Sequence, residues 1–351
     1  AVGMEFCPAL GVAIPVGKDS LSMRAVWDDS QGASHKAVAP LSLVISAFAP
    51  VRDIRRTLTP DLKAEEDTVL LLVDLGHGQN RLGGSVLAQV HNQMGDTPPD
   101  IDPIDLGKLY AAVQDLLSRD LLLAYHDRSD GGLFACVAEM AFGGRRGVEI
   151  DISALGPDPL AALFNEEIGV VLQSRAGRGE AVEDILVRHG LKACTHRIGT
   201  PTDSVDLEIN HNSQTVFAAP VHQLLQTWSE MTYHMQAQRD NPECAREEFD
   251  TLADTADPGL SFAADFDFLF DSGEGIATAP RPRVAVLREQ GVNGQVEMAA
   301  AFDAAGFEAV DVPMTDLLAG RTDLAAFSGL VACGGFSYGD VLGAGAGWAK
   351  T

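Results

Sequence analysis

Residues 283–287 read Arg-Val-Ala-Val-Leu, and residues 330–333 read Leu-Val-Ala-Cys. Both are short apolar runs of buried-strand type, and the text between them has two further elements. Residues 295–305 carry the spacing of an amphipathic helix, and residues 307–312 read as a second strand. Strand, helix, strand and strand in this order make the first half of a doubly wound sheet. Three strands cannot cover both faces of such a sheet, and the sequence continues only through a glycine-rich stretch, so the chain is expected to be a fragment. Ala1, where an initiator Met would stand, raises the same expectation at the other end.

Working upstream, residues 250–282 are rich in Asp, Gly, Ala and Pro and read as a linker. Residues 221–239 read as one long helix, whose apolar stripe of Leu224, Leu225, Trp228, Met231 and Met235 is expected to pack against the rest of the protein. Strands are expected at residues 68–74, 122–126, 148–152 and 169–173. Helices are expected near 85–94 and at 104–119, 133–142, 160–164 and 180–189. This mixture makes an α+β domain. Residues 12–15, 20–27 and 41–48 are three β-like runs, read as the tail of a larger sheet domain. The expected domains are therefore 1–66, 67–220, a helix and linker at 221–281, and 282–351.

Composition narrows the class. At 351 residues with 46% hydrophobic content, the chain is long enough for two or three globular domains. No apolar run approaches the roughly 20 residues of a membrane span, and no basic segment precedes an apolar leader, so a cytoplasmic protein without membrane partners is expected. The five cysteines are scattered and never in a C-x-x-C pair, which speaks against a disulfide framework or a zinc site. A formal charge of −25 repels nucleic acid. An anionic small ligand would need a local device: a helix N-terminus, a cation or an arginine.

Residues 126–133 (His-Asp-Arg-Ser-Asp-Gly-Gly-Leu) lie where a strand ends and a helix begins, the usual ligand position in α/β sheets. Gly131 and Gly132 would let the backbone approach a phosphate, and Asp127 would hold a magnesium ion bridging phosphates. The plainer alternative pairs Asp127 with Arg128 or solvent. Asp130 is expected to N-cap the helix, and His126 to be a hydrogen-bonded residue at the strand end. Residues 11–20 imitate a P-loop but place five residues between the glycines and Asp19 after the Lys. Lys18, Asp19 and Ser20 remain candidate nucleotide contacts, or simply a turn and strand start. Residues 74–84 depart from the dinucleotide fingerprint, although Gly83, Gly84 and Ser85 could form an anion-binding helix start. Asn165, Glu166 and Glu167 place a carboxylate pair at the domain edge, where charge exposed to solvent is expected. Cys333 sits at a strand end beside Gly334 and Gly335, but residues 336–345 read as a long loop, without the elbow of a nucleophile. The glycine N–H groups suit an oxyanion hole better.

Taken together, residues 17–23, 126–133, 163–167 (Leu-Phe-Asn-Glu-Glu), 284–297 (Val-Ala-Val-Leu-Arg-Glu-Gln-Gly-Val-Asn-Gly-Gln-Val-Glu) and 331–345 resemble the large, single-chain phosphoribosylformylglycinamidine (FGAM) synthases of purine biosynthesis. The resemblance runs in order along essentially the whole chain. It implies the end of an aminoimidazole-ribonucleotide-synthetase-like N-domain, the matching C-domain, and the first part of a doubly wound class I glutaminase. It implies an ATP-dependent carbon–nitrogen ligase with glutamine as amide donor and formylglycinamide ribonucleotide as substrate. In this chemistry ATP phosphorylates the formamide oxygen and ammonia displaces the phosphate. Asp127 matches a magnesium ligand, Ser129 a nucleotide-binding residue, and Gly334 and Gly335 the oxyanion strand. The glutaminase nucleophile belongs to a Gly-Val-Cys-Asn-Gly-Cys motif that none of these 351 residues carries, so no glutaminase activity is expected from them. Ala346 stands where the family pattern has Glu, which puts one loop contact in question. The resemblance does not say whether Asp127 serves the working nucleotide site or an auxiliary structural ADP site. The alternative function is therefore a non-catalytic nucleotide-binding scaffold.

Overall fold

The computed structural model describes residues 2–15, 23–39, 42–51, 53–256, 263 and 280–351. Lys18, Asp19 and Ser20 lie outside the described residues, as does most of the 250–282 stretch. The chain divides into two compact units, Ala1–Pro258 and Gly259–Thr351.

The first unit opens with a π-helical turn (Val2–Phe6), a short α1 (Cys7–Ala9) and an antiparallel hairpin of β1 (Arg24–Asp28) and β2 (Ser34–Val38). Of the three expected β-like runs, only the one around β1 becomes a strand. Residues 12–15 and 42–48 have no regular structure, because an apolar run becomes a strand only where its N–H and C=O groups meet a ladder, and these meet none among the described residues.

The remaining elements of this unit are β3 (Thr68–Asp74), α2 (Val86–Val90), α3 (Pro103–Ser118), β4 (Ala124–Arg128), α4 (Gly132–Gly144), β5 (Gly147–Asp151), α5 (Pro159–Phe164), β6 (Gly169–Arg175), α6 (Gly179–Arg188), β7 (Thr195–Thr202), β8 (Asp206–His211), β9 (Gln214–Pro220), α7 (Val221–Arg239) and α8 (Pro242–Thr251). Two helix starts show the cap chemistry directly. Asp102 accepts the Ile104 N–H at 2.7 Å ahead of Pro103, and Asp158 accepts the Leu160 N–H at 2.9 Å ahead of Pro159.

Seven strands form one sheet in the order β4-β6-β3-β7-β5-β8-β9, antiparallel except for the β5–β8 pair. Every residue of β3 is buried, as expected of a strand covered on both faces. Leu70 and Leu72 face a core shared with Leu133, Val137 and Met140 of α4. Val69, Leu71 and Val73 face a second core with Leu116 of α3 and Ile185 of α6. Strands β7 to β9 were not expected from the sequence. The β8–β9 connection is a two-residue turn with positive φ at Asn212 (52°) and Ser213 (63°), the twist that joins antiparallel neighbours. Strand β4 lies two residues later than expected, so Asp127 and Arg128 belong to the ladder, opposite Val170 and Gly169.

Helix α7 occupies the expected span, but its stripe does not pack as expected. Leu224 meets the core, whereas Trp228, Met231 and Met235 are 63%, 72% and 65% exposed. Among the described residues no helix is long and apolar enough to cross a membrane.

The second unit contains β10 (Arg283–Arg288), α9 (Gln295–Ala304), β11 (Glu308–Pro313), α10 (Met314–Leu318), β12 (Gly329–Ala332) and α11 (Ala344–Lys350). The three strands are parallel in the order β11-β10-β12, the doubly wound arrangement anticipated from residues 283–333. Ala285, Leu287 and Val312 form its small core, joined by Trp348 of α11. The stretch expected as loop instead contains a 3-10 turn (Ser337–Asp340) and the start of α11, which packs Trp348 inward.

Truncating Leu72, which is fully buried, to Ala is expected to cost about 2–5 kcal/mol of unfolding free energy. Met231→Ala on the exposed face of α7 should stay within about 0.5 kcal/mol. Urea denaturation followed by circular dichroism measures both; equal losses would mean that the α7 stripe is packed after all.

Candidate functional site

The strand-to-helix junction of β4 and α4 stands on a buried charge network. Arg128 enters it with its side chain 1% exposed and pairs with Asp74, at the end of β3, 4% exposed. The Arg128 Nε also donates to the Glu167 carbonyl at 2.6 Å. Asp74 further accepts the Gly76 and Gly78 N–H groups at 3.0 and 2.9 Å. Burial by itself pushes the Asp74 carboxyl up. The Arg128 charge and its hydrogen bond, with the two amides, outweigh it and hold the pKa below the ordinary carboxylate value.

Asn165, Glu166 and Glu167 are not surface groups. Asn165 and Glu167 are fully buried. Glu167 receives Arg81 in a bidentate fork, Nε to Oε1 at 2.6 Å and Nη2 to Oε2 at 2.7 Å. Asn165 Nδ2 donates to the Ala161 carbonyl at 2.7 Å, anchoring the end of α5. Glu166 Oε1 accepts two backbone donors from separate elements: Gly131 N–H at the start of α4 (3.0 Å) and Val86 N–H at the start of α2 (2.8 Å). A carboxylate therefore occupies the place at which an anion was anticipated for both helix starts.

This arrangement corrects two readings. Asp130 does not cap α4; the N-cap is Gly131 in the left-handed region, and the carboxylate at that helix start comes from Glu166. Gly83, Gly84 and Ser85 form no anion site, since their N–H groups go to the carbonyls of Thr97, Met94 and Leu82. The helix they precede, α2, has only five residues, and Ser85 Oγ caps it through the Ala88 N–H at 3.2 Å. Gly132, at φ +68°, has a close protein neighbour: a Cβ there would lie 2.5 Å from the Leu163 carbonyl oxygen. The second glycine thus permits α4 to approach the 163–165 segment.

On the outer rim lie the other candidates. Asp127 and Ser129 are exposed, and the Ser129 hydroxyl donates to Asp127 Oδ2 at 2.7 Å. His126 bonds the Asp127 carbonyl through Nδ1 (2.7 Å) and pairs with Glu139 through Nε2 (3.0 Å), the hydrogen-bonded strand-end residue anticipated. Among the described residues no group of three His, Cys, Asp or Glu side chains is placed to hold a metal. Asp127 fits magnesium only as one carboxylate of a shell that phosphate and water complete, which is how this cation is commonly held.

In the second unit, Gly334 and Gly335 follow β12 and cross the Gly291 turn. Asn293 N–H donates to the Gly334 carbonyl at 3.2 Å, and Phe336 N–H to the Gly291 carbonyl at 2.7 Å. A Cβ on Gly335 would lie 2.5 Å from the Gly291 oxygen. Cys333 is buried, and burial, reinforced by the Glu297 charge, pushes its thiol pKa up. That is the opposite of nucleophile activation.

Three family models match successive parts of the chain. Residues 1–50 match the FGAR-AT PurM_N-like domain, residues 64–212 the C-terminal domain of AIR synthase related protein, and residues 281–351 a CobB/CobQ-like glutamine amidotransferase domain. The three matches together support an FGAM synthase-like protein. Its mixed architecture, AIR-synthetase-like domains followed by a glutamine amidotransferase domain, is the one expected from the sequence. Among solved structures it is similar to Thermotoga maritima PurL complexed with ATP (15% identity, TM-score 0.40, covering 49% of this chain and 27% of that one). It is also similar to T. maritima PurL complexed with FGAR (13%, 0.42, 63% and 36%) and to E. coli HypE, a hydrogenase maturation protein (19%, 0.34, 45% and 50%). The chain spans between about a quarter and about a third of the length of the PurL chains it matches.

Two outcomes are expected. Because the Asp74 pKa is depressed in the folded protein, its contribution to stability is complete above the ordinary Asp value near 3.9 and disappears as pH falls through the lower folded value. Asp74→Asn, which leaves Arg128 buried without its counter-charge, should cost about 3–5 kcal/mol at pH 7 and flatten the acid limb of a stability–pH curve; an unchanged acid limb would remove Asp74 from the network. In thiol labelling at pH 8 with a disulfide reagent, exposed Cys244 should react well before buried Cys333, and Cys333 reacting first would reverse its assignment as an inert thiol.

Proposed function

We propose that the chain forms part of an enzyme that makes formylglycinamidine ribonucleotide from formylglycinamide ribonucleotide, ATP and glutamine, an ATP-dependent ligase of de novo purine biosynthesis in the cytoplasm. The observation that carries this reading is the order of the three matched domains on one chain: an FGAR-AT N-like domain, an AIR-synthase-related C-terminal domain and a glutamine amidotransferase domain. Residues 1–66 and 67–220 would serve the nucleotide chemistry, residues 221–281 would connect, and residues 282–351 would contribute to the ammonia-releasing domain.

In this reading Asp127 would offer a carboxylate oxygen to a magnesium ion, which would supply the charge neutralisation that phosphoryl transfer requires. Arg128, held inside by Asp74, orients Asp127 from the adjacent position in the strand. Ser129 holds Asp127 Oδ2 through its hydroxyl and contacts the nucleotide. Gly131 and Gly132 line the same turn; the Gly131 N–H reaches a phosphate only when the Glu166 carboxylate gives it up. Lys18, Asp19 and Ser20 complete the nucleotide contacts. Gly334 and Gly335 supply backbone to the oxyanion position of the glutaminase, whose nucleophile is not Cys333.

The Glu166 contact favours a second reading, in which nucleotide and magnesium have a structural role here. A helix start already neutralised by a protein carboxylate has less to offer a transferring phosphate. Calorimetric titration of magnesium-ADP into the 351-residue chain and its Asp127→Ala variant tests the residue assignment. Affinity is expected to fall at least tenfold in the variant, and equal affinity in the two proteins would remove Asp127 from the site. In the synthase reaction, Asp127→Ala lowering the melting temperature while sparing turnover would select the structural reading.

A further inference from the structure

The other end of α4 closes a cavity that the nucleotide chemistry does not use. It has a volume of about 340 Å³ and lies among the C-terminus of α4, the β7–β8 connection, the first turns of α7 and the segment after α8. That size is within the usual range for small-molecule sites. Phe142, Val221, Leu225 and Leu252 give it an apolar wall. Arg145, Arg146 and His222 line it as well.

Two buried polar atoms on this lining lack a partner among the described residues, Arg146 Nε and His222 Nδ1. Buried donors are nearly always paired, and an unpaired one on a guanidinium is costly; His222 Nδ1 is a second donor in the tautomer that carries its proton there, and in that tautomer the two atoms suit one acceptor. Among the described residues the guanidinium is otherwise engaged at its tip. Its Nη2 pairs with Asp203, whose side chain is 97% exposed. An ion pair with so solvated a partner is weak and leaves the arginine available to a ligand. The other acidic side chain on the lining, Asp254, has Oδ1 turned to the Ala256 N–H at 2.9 Å.

We propose that this cavity binds a small molecule that carries an oxyanion, carboxylate or phosphate, on an apolar body. The anion sits on Arg146 Nε and His222 Nδ1, with Arg145 adding positive potential, and the apolar body lies against Phe142, Leu225 and Leu252. In a chain of formal charge −25, such a ligand needs a local cationic device, and the adjacent arginines at the helix C-terminus supply one. The site is separate from the β4–α4 junction: α4 has 13 residues, so its two ends are about 20 Å apart. The proposal stands whether or not the nucleotide reading holds.

Isothermal titration of the 351-residue chain with phenyl phosphate, benzoate and inorganic phosphate tests it. At least one aromatic probe is expected to bind one-to-one. Affinity should fall at least tenfold in Arg146→Gln and in Leu225→Trp, which fills the cavity yet keeps both donors, and should be unchanged in Asp127→Ala. Phenyl phosphate binding alone would identify the head group as phosphate, and benzoate binding alone as carboxylate. Two results would overturn the proposal: no binding of either aromatic probe, as with a cavity that holds only water, or binding indifferent to both cavity variants. Circular dichroism of each variant separates loss of the site from loss of fold, and Leu225→Trp decides the matter if Arg146→Gln does not fold.

Discussion

The first unit is organised around the buried pair of Arg128 and Asp74. A charge removed from water is tolerated only where its hydrogen-bonding capacity is used, and here the guanidinium meets a carboxylate and a carbonyl, while the carboxylate meets two further amides. These contacts tie the end of β3, the end of β4 and the segment before β6 to one another. Because Asp127 precedes Arg128 and Ser129 follows it, anchoring the arginine inward directs the neighbouring polar groups outward. The exposed pair of the candidate site is thus a consequence of the buried one.

Glu166 and Glu167, adjacent in sequence, take opposite tasks. Glu167 is fully buried and neutralised by Arg81. Glu166 is half-buried and answers two helix starts through backbone amides. Backbone amides carry only partial positive charge, so the Glu166 arrangement is the more readily exchanged for another anion, whereas the Arg81 fork is a charge-assisted bidentate contact. If a phosphate ever takes over the start of α4, Glu166 is the group that must yield and Glu167 is the group that keeps the loop in place meanwhile.

The legible parts of this chain were those governed by local pattern. Continuous apolar runs revealed β3, β6 and β10, because burial on both faces removes polar alternation. The span of α7 followed from its spacing, yet the exposure of Trp228, Met231 and Met235 did not, since periodicity shows that a stripe exists without showing what covers it. Strands β7 to β9 had a usable signal in the alternating burial of Leu207, Ile209 and His211 before the Asn212-Ser213 turn. The role of Glu166 had none, because its partners lie 35 and 80 positions away. The glycines at 131 and 132 were visible as a need for backbone freedom, but glycine does not say whether the neighbour that requires it is a phosphate or, as for Gly132, the carbonyls of residues 163 to 165.

The strong acidity of the chain gives these placements a common logic. With 50 acidic and 25 basic residues, any arginine withdrawn from the surface is a substantial share of the positive charge available. Arg128 and Arg81 are spent on holding loops together, each matched to a carboxylate. Arg146 is different: its partner carboxylate, Asp203, is almost wholly solvated, and its buried Nε has no hydrogen-bond partner among the described residues. A desolvated donor in that position lowers the stability of the unoccupied fold and strengthens whatever anion enters, because the same low polarity that makes the unpaired group costly raises the energy of its pairing. The arginines that hold the fold and the arginine that awaits a ligand are therefore distinguished by whether their buried nitrogens are answered from within the chain.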